Sequence, residues 1–210
     1  MIKSGNVLVD AFSITDPSFT LAPEQIVICE GEQLSLPKPR YLMLNKPAGK
    51  VCATKDSNQA CVMDLFSQEA PGLKIAGRLD KDTTGLLLLS DDGQWIHRIT
   101  SPNFRCEKTY QVKLDSLVSE QTLRQFANGI QLRSEDKPTL PARIENIKGT
   151  SCDVILNEGR YHQVKRMFAA CGHHVLALHR SEIGGIMLDS KLQPGDYRVL
   201  SEDELASVAT

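Results

Sequence analysis

Apolar and polar positions alternate or cluster along this chain in ways that predict its elements one at a time. Leu86 to Leu89 form an uninterrupted apolar run, bounded by Gly85 and by Asp91-Asp92-Gly93. A short apolar run between turn signals predicts a buried strand. Tyr110, Val112 and Leu114 alternate with Gln111 and Lys113, which predicts a half-buried one. Tyr41 to Asn45 predicts another strand, turned by Lys46-Pro47-Ala48-Gly49. Further strands are predicted at 142–147, 152–157, 174–180, 183–188 and 197–200. Helical spacing appears three times. Asp92 caps a predicted helix over 93–100, with Trp95, Ile96 and Ile99 inward and Pro102 stopping it. Ser119 caps a second, whose stripe is Leu123, Phe126, Ala127 and Ile130, with Gly129 near its end. Val164, Met167, Phe168 and Cys171 fall at i, i+3, i+4 and i+7, a third stripe, ended by Gly172.

Strands outnumber helices, and several follow one another with no helix between. The pattern therefore predicts an α+β fold with a mixed, largely antiparallel sheet rather than a doubly wound one. Residues 1–39 read as a separate small unit. Its apolar pieces are Val7 to Val9 and Ile26 to Cys29, with turns at Asp16-Pro17-Ser18 and Ala22-Pro23-Glu24. That is too little to make a stable domain alone. Gly31 to Arg40, with prolines at 37 and 39, reads as a linker. Residues 40–210 are the main domain; within it, 50–75 show no clear period.

Composition changes the picture mainly through charge. The 210 residues carry a formal net charge of −2, which does not announce nucleic-acid binding. The distribution says more. Residues 1–39 hold Asp10, Asp16, Glu24, Glu30 and Glu32 against Lys3 and Lys38. Residues 94–114 hold Arg98, Arg105, Lys108 and Lys113 against Glu107, and residues 159–181 hold Arg160, Lys165, Arg166 and Arg180 with no acid. A near-neutral total can hide a basic face of the kind a phosphate backbone meets. The six cysteines form no CxxC pair and several sit in apolar contexts, which predicts unpaired thiols in a reducing compartment. Cys171, His173, His174 and His179 match no common zinc spacing, so no metal is expected. With no apolar run of membrane length and no signal peptide, a cytoplasmic protein without a membrane partner is expected.

The candidate chemistry centres on Gly77 to Thr84, a charged loop leading directly into the apolar run. Asp80 there is either a reactive carboxylate or, like Asp82, an acceptor for local loop amides. On the third helix His162, Lys165 and Arg166 fall at i, i+3 and i+4 opposite the apolar stripe, with Arg160 at the N-terminal end. This is either an ordinary solvated basic face or a surface for an anion. A carboxylate, two cations and Tyr110 can be combined into one site, in which a cation orients the carboxylate as a nucleophile or base. No GxGxxG, GxxxxGK[ST] or GxSxG is present. The residues alone reach an enzyme or binder of nucleic acid with an essential aspartate.

A resemblance goes further. Ala76-Gly77-Arg78-Leu79-Asp80, followed by Thr84 to Leu89 and Asp92-Gly93, resembles the signature of the RNA pseudouridine synthases. Lys108-Thr109-Tyr110 is similar to that family's second motif, and Glu158 to Met167 to its third, all in family order between Tyr41 and about Glu204. The resemblance implies the pseudouridine synthase catalytic fold and a reaction that breaks the C1′–N1 bond of a uridine, turns the uracil and rejoins C1′ to C5, with no cofactor and no metal. It implies that Asp80 attacks the uridine and that Lys165 pairs with it. Tyr110 packs against the base and serves proton transfer, Arg78 holds the flipped nucleotide or fills its gap, and Val164 touches the base. Arg160, His162, Gln163 and Arg166 are expected to face the RNA. Attack at C6, attack at C1′ and removal of a sugar proton all fit one aspartate at this place.

Tyr161 to Arg166, together with Trp95 to Pro102, is similar to members acting on small-subunit 16S rRNA; large-subunit members tend to carry Asn-Arg-Gln-Val-Arg-Arg in the third motif. The expected partner is therefore 16S rRNA within a partly assembled small subunit, and a monomer is expected. The alternatives are a 23S rRNA synthase of the same family and a catalytically idle rRNA-binding assembly protein; a nucleotide hydrolase, which would release uracil, is more remote. Met1 to Val9 resembles only the later part of an RNA-binding module like that of ribosomal protein S4, so a truncated S4-like segment lacking its helical half is expected over 1–39.

Overall fold

The computed structural model describes residues 1–22, 24–35, 38–66 and 71–208. Packing divides the chain into two units, Met1–Lys38 and Pro39–Thr210. In the first, β1 (Val7–Val9), β2 (Phe12–Ile14), β3 (Val27–Cys29) and β4 (Glu32–Leu34) form an antiparallel sheet in the order β2-β1-β3-β4. Asp10-Ala11 and Glu30-Gly31 close its two hairpins with positive φ at both positions, the turn that matches strand twist. β4 corrects the linker expected over Gly31 to Arg40. Gly31 is a hairpin turn there, and Glu32–Leu34 lacks the alternation that marks a strand because all three residues face solvent. Pro23, Leu36 and Pro37, parts of the predicted turn and linker, lie outside the described residues.

The second unit runs β5 (Tyr41–Lys46), β6 (Lys74–Ala76), β7 (Thr84–Ser90), α1 (Gly93–Thr100), β8 (Lys108–Leu114), α2 (Glu120–Asn128), β9 (Arg143–Lys148), β10 (Ser151–Leu156), α3 (Gln163–Ala170), β11 (Val175–Ile183), β12 (Ile186–Met187), β13 (Tyr197–Val199) and α4 (Glu202–Ala206). Its nine-stranded sheet has the order β13-β5-β7-β11-β8-β10-β9, with β6 on β7 and β12 on β11. Every strand pair in it is antiparallel except β7 with β11. This is the mixed, largely antiparallel α+β fold that the strand pattern predicts. The two strands expected at 174–180 and 183–188 are instead one long β11 and a two-residue β12 beyond Gly184-Gly185. Ala127, expected on the buried stripe of α2, is exposed; Thr122 is buried beside Phe126 in its place.

β7 explains its own sequence. Leu87 and Leu89 enter one hydrophobic cluster with Leu42, Leu44, Val112, Val154, Phe126, Val164, Met167 and Phe168. Leu86 and Leu88 enter a second, with Met43, Trp95, Ile99, Ile183 and Ile186. A strand covered on both faces has no polar face to show, hence the continuous run. Full burial of each leucine contributes about 1.5–3 kcal/mol. Gly85, the second residue of the strand, has φ 101°, and a Cβ there would collide with the Arg180 carbonyl oxygen. Glycine thus lets β7 and β11 close in parallel, with Arg180 opposite Gly85.

Candidate active site

A cavity of about 450 Å³ opens in the second unit between the loop Gly77–Thr83, β8, β11 and the residues leading into α3. The loop carrying Asp80 is fixed from behind. Lys46, at the end of β5, is fully buried, and its ammonium donates to the carbonyls of Pro47 (3.0 Å), Lys81 (3.2 Å) and Thr83 (2.8 Å). Burial pushes its pKa down. Three carbonyl acceptors offset the cost of burying that charge, and two of them belong to the loop.

Asp80 projects from this loop toward α3. Its Oδ2 lies 3.1 Å from Lys165 Nζ and its Oδ1 3.4 Å from His162 Nε2. Lys165 also lies 2.6 Å from Asp82 Oδ1, so one ammonium is shared by two carboxylates. The Lys165 hydrogen bond holds the Asp82 carboxyl below its ordinary range. For Lys165, burial works against the charge, but the hydrogen bonds to Asp82 and Asp80 prevail and its pKa is raised. Along the sequence Asp82 reads only as a loop acceptor; its place two residues from Asp80 in one charged loop is the signal for more. His162 sits at the N-cap of α3 with φ 47°, in the left-handed region, and its side chain does not cap the helix. Such a conformation costs a non-glycine residue about 1–3 kcal/mol. It lays the imidazole flat against the Tyr161 ring, with centroids 3.9 Å apart and planes at 18°.

Tyr110, on β8, is buried in the cavity wall. Beside it Arg180 is only 2% exposed, donates to the carbonyls of Leu86 and Gly77 (both 2.8 Å), and sets its guanidinium 6.0 Å from the Tyr110 ring centre. Arg180 was visible in sequence only as one charge among several; an arginine inside the apolar β11 pattern was the clue to more. Lys108 also lines the cavity, but its ammonium is held by the carbonyls of Ile99 (2.9 Å) and Cys106 (2.6 Å), and burial pushes its pKa down. Val164 supplies buried apolar wall, and Arg78 and Lys81 are exposed at the opening.

Arg160, Gln163 and Arg166 have internal partners. Arg160 donates to the carbonyls of Lys137 (2.8 Å) and Pro138 (2.7 Å) and to Glu158 (3.1 Å). Arg166 meets Glu135 (2.8 Å) and the carbonyls of Tyr161 (3.0 Å) and Arg133 (2.8 Å). Gln163 bonds Glu158 and the Arg160 amide, each at 2.8 Å. These side chains tie residues 133–140 to the start of α3. Away from the cavity, His173 bonds the hydroxyls of Ser116 (2.8 Å) and Thr122 (2.9 Å), and His179 that of Thr84 (2.9 Å). The six cysteines are unpaired, and burial pushes the Cys152 thiol up to about 11. Among the described residues no helix is long and apolar enough to cross a membrane.

Comparison with known proteins identifies the family. The family model described as RNA pseudouridylate synthase matches residues 40–170. The ribosomal small subunit pseudouridine synthase A of Escherichia coli (strain K12) is 52% identical over 99% of this chain and 90% of its own length. Its namesake in Vibrio cholerae is 48% identical over 99% of this chain and 90% of its own length. A crystal structure of a pseudouridylate synthase superposes with a TM-score of 0.79 at 43% identity, over 99% of this chain and 90% of that one. An H/ACA RNP bound to a substrate RNA containing 2'-deoxyuridine shares the fold alone, with a TM-score of 0.51 at 17% identity over 74% of this chain and 50% of that one. The family match contains all three sequence motifs and the carboxylate that the fold brings against Lys165, and the chain belongs to the RNA pseudouridylate synthase family.

Proposed function

We propose that this chain isomerises one uridine of 16S rRNA to pseudouridine, with Asp80 as the catalytic residue. The observation that carries the reading is the Asp80 carboxylate, 3.1 Å from the Lys165 ammonium and 3.4 Å from His162 Nε2, at a cavity in the size range of small-molecule sites. The names of the relatives at 52% and 48% identity support the small-subunit substrate. The C1′–N1 bond breaks, uracil turns, a C1′–C5 bond forms, the C5 proton leaves and N1 gains one, so the product is an isomer and no oxidant or reductant is consumed. A base in a helix must first leave its stack. In this reading Arg78, exposed at the opening, holds the flipped nucleotide, and Tyr110 and Val164 receive its base. The Tyr110 hydroxyl serves proton transfer, and Lys165 orients the Asp80 carboxylate. His162, Arg160, Gln163 and Arg166 shape the rim that meets the RNA. The protein acts as a monomer in the cytoplasm on a partly assembled small subunit, and residues 1–39 contribute an S4-like RNA-contacting segment.

The test measures pseudouridine formation and binding on the same 16S and 23S fragments. Wild type is expected to convert one 16S uridine, and Asp80→Asn to lose conversion while binding stays within a few-fold. Conversion by Asp80→Asn within tenfold of wild type overturns the catalytic assignment. Conversion of 23S alone overturns the substrate, and RNA binding with no conversion by wild type leaves the idle assembly protein.

A further inference from the structure

We propose that Tyr161 is a stacking platform for a nucleobase flanking the target uridine; this rests on the RNA-modifying reading of the Asp80 cavity. Tyr161 is a large aromatic side chain that the fold leaves 72% exposed on the cavity wall. One face of its ring is covered by His162 in a near-parallel stack, and its hydroxyl has no hydrogen bond among the described residues. His162 in turn reaches Asp80 Oδ1 at 3.4 Å, so a ladder runs carboxylate, imidazole, phenol from the candidate catalytic atom outward.

The platform is held rigidly. Arg166 donates to the Tyr161 carbonyl at 3.0 Å, His162 holds its left-handed φ, and the next turn is anchored in the core by Val164, Met167 and Phe168. Exposing an aromatic ring in water contributes nothing to folding, and the strain at His162 opposes it. Both are explained if the ring's outer face meets a second ring. The stack spacing of 3.9 Å is that of layered aromatic rings, and Arg78 and Lys81 stand at the same opening to meet phosphates. When a uridine leaves its stack, each neighbouring base loses a partner. An aromatic side chain at the mouth replaces it without regard to base identity, because every base has a π face.

The experiment pairs protein and RNA changes on a 16S fragment that wild type converts. Tyr161→Ala is expected to raise KM roughly tenfold, the order of a lost base stack, with kcat reduced less than threefold. Tyr161→Trp is expected to restore KM. Replacing the 5′ or the 3′ neighbour of the target by an abasic nucleotide is expected to raise KM for wild type. At one of the two positions, Tyr161→Ala then adds no further loss. Tyr161→Ala with KM within twofold of wild type, or a penalty that multiplies with the abasic penalty at both neighbours, overturns the inference while conversion by wild type upholds the function. A wild-type protein that converts no rRNA uridine overturns both. Equal melting temperatures for the variants separate lost stacking from lost folding.

Discussion

At the scale of single residues, the shared ammonium decides the electrostatics of the site. Lys165 lies nearer Asp82 (2.6 Å) than Asp80 (3.1 Å), so Asp82 is part of what aims it. The Asp82 carboxyl is depressed in the folded chain. Its contact therefore stabilises above the unfolded carboxylate value of about 3.9 and is lost as pH falls through the lower folded one. Lys165 is raised, so its contribution is complete below its unfolded value of about 10.4 and is lost as pH rises through the higher folded one. Across the neutral range the contact is intact. NMR titration should find the Asp82 carboxyl below the usual range in wild type and moved upward in Lys165→Met. An Asp82 titration indifferent to Lys165 would show that the contact is not formed in solution. Lys165→Met should also cost at least about tenfold in turnover, about 1.4 kcal/mol of barrier, and Lys165→Arg less.

Among the elements, β7 carries the most consequence because both its faces and one of its ends are committed. Its leucines fill two clusters, and Gly85 admits the Arg180 backbone of β11, whose side chain reaches back to the Leu86 and Gly77 carbonyls. Gly85→Ala should therefore do two things. The positive φ alone costs about 1–3 kcal/mol, and the collision with the Arg180 backbone adds to it. For a chain of this length a melting temperature falls roughly 2–4 °C per kcal/mol, so a drop of at least about 4 °C is expected. Displacing β11 should lower turnover as well, since Arg180 donates to the Gly77 carbonyl in the Asp80 loop. Calorimetry and an activity assay on one preparation check both; an unchanged melting temperature would mean that the two strands do not approach this closely.

For the whole molecule, the question is how a chain of net charge −2 binds a polyanion. The basic runs at 94–114 and 159–181 suggest an abundant cationic surface, but much of that charge is turned inward. Lys108, Arg160, Arg166 and Arg180 all donate to main-chain carbonyls, as Lys46 does on β5. Lys165 is taken up by Asp80 and Asp82, and Arg78 and Lys81 stand exposed at the cavity. Each phosphate neutralised on a single strand gives a slope of about −0.7 in log affinity against log salt, so two contacts predict roughly −1.4. Filter binding of a 16S fragment across a salt series measures it. A slope steeper than about −5 would show that most of the contacts lie elsewhere on the chain.

Much of the fold and part of the site were legible along the chain. The Asp92 and Ser119 caps, the stripe of α3, the glycine after it and the alternation of β8 depend on neighbours within a few residues, and a local pattern records them. The resemblance of three local strings to family motifs marks Asp80, Tyr110 and Lys165 as candidates. β4 and β6 are not legible, because β4 has no apolar face turned inward and β6 closes a stretch without a period, and their pairing partners define them. The parallel seam between β7 and β11 joins residues 95 positions apart, and the bond between Asp82 and Lys165 spans 83. The inward turn of Arg160 and Arg166 depends on where residues 133–138 come to rest. Such contacts form only when the assembled sheet offsets the entropy of closing those long loops. Periodicity and motif spacing determined which elements this chain makes and which carboxylate to follow; tertiary packing alone decided which partners each charge would meet.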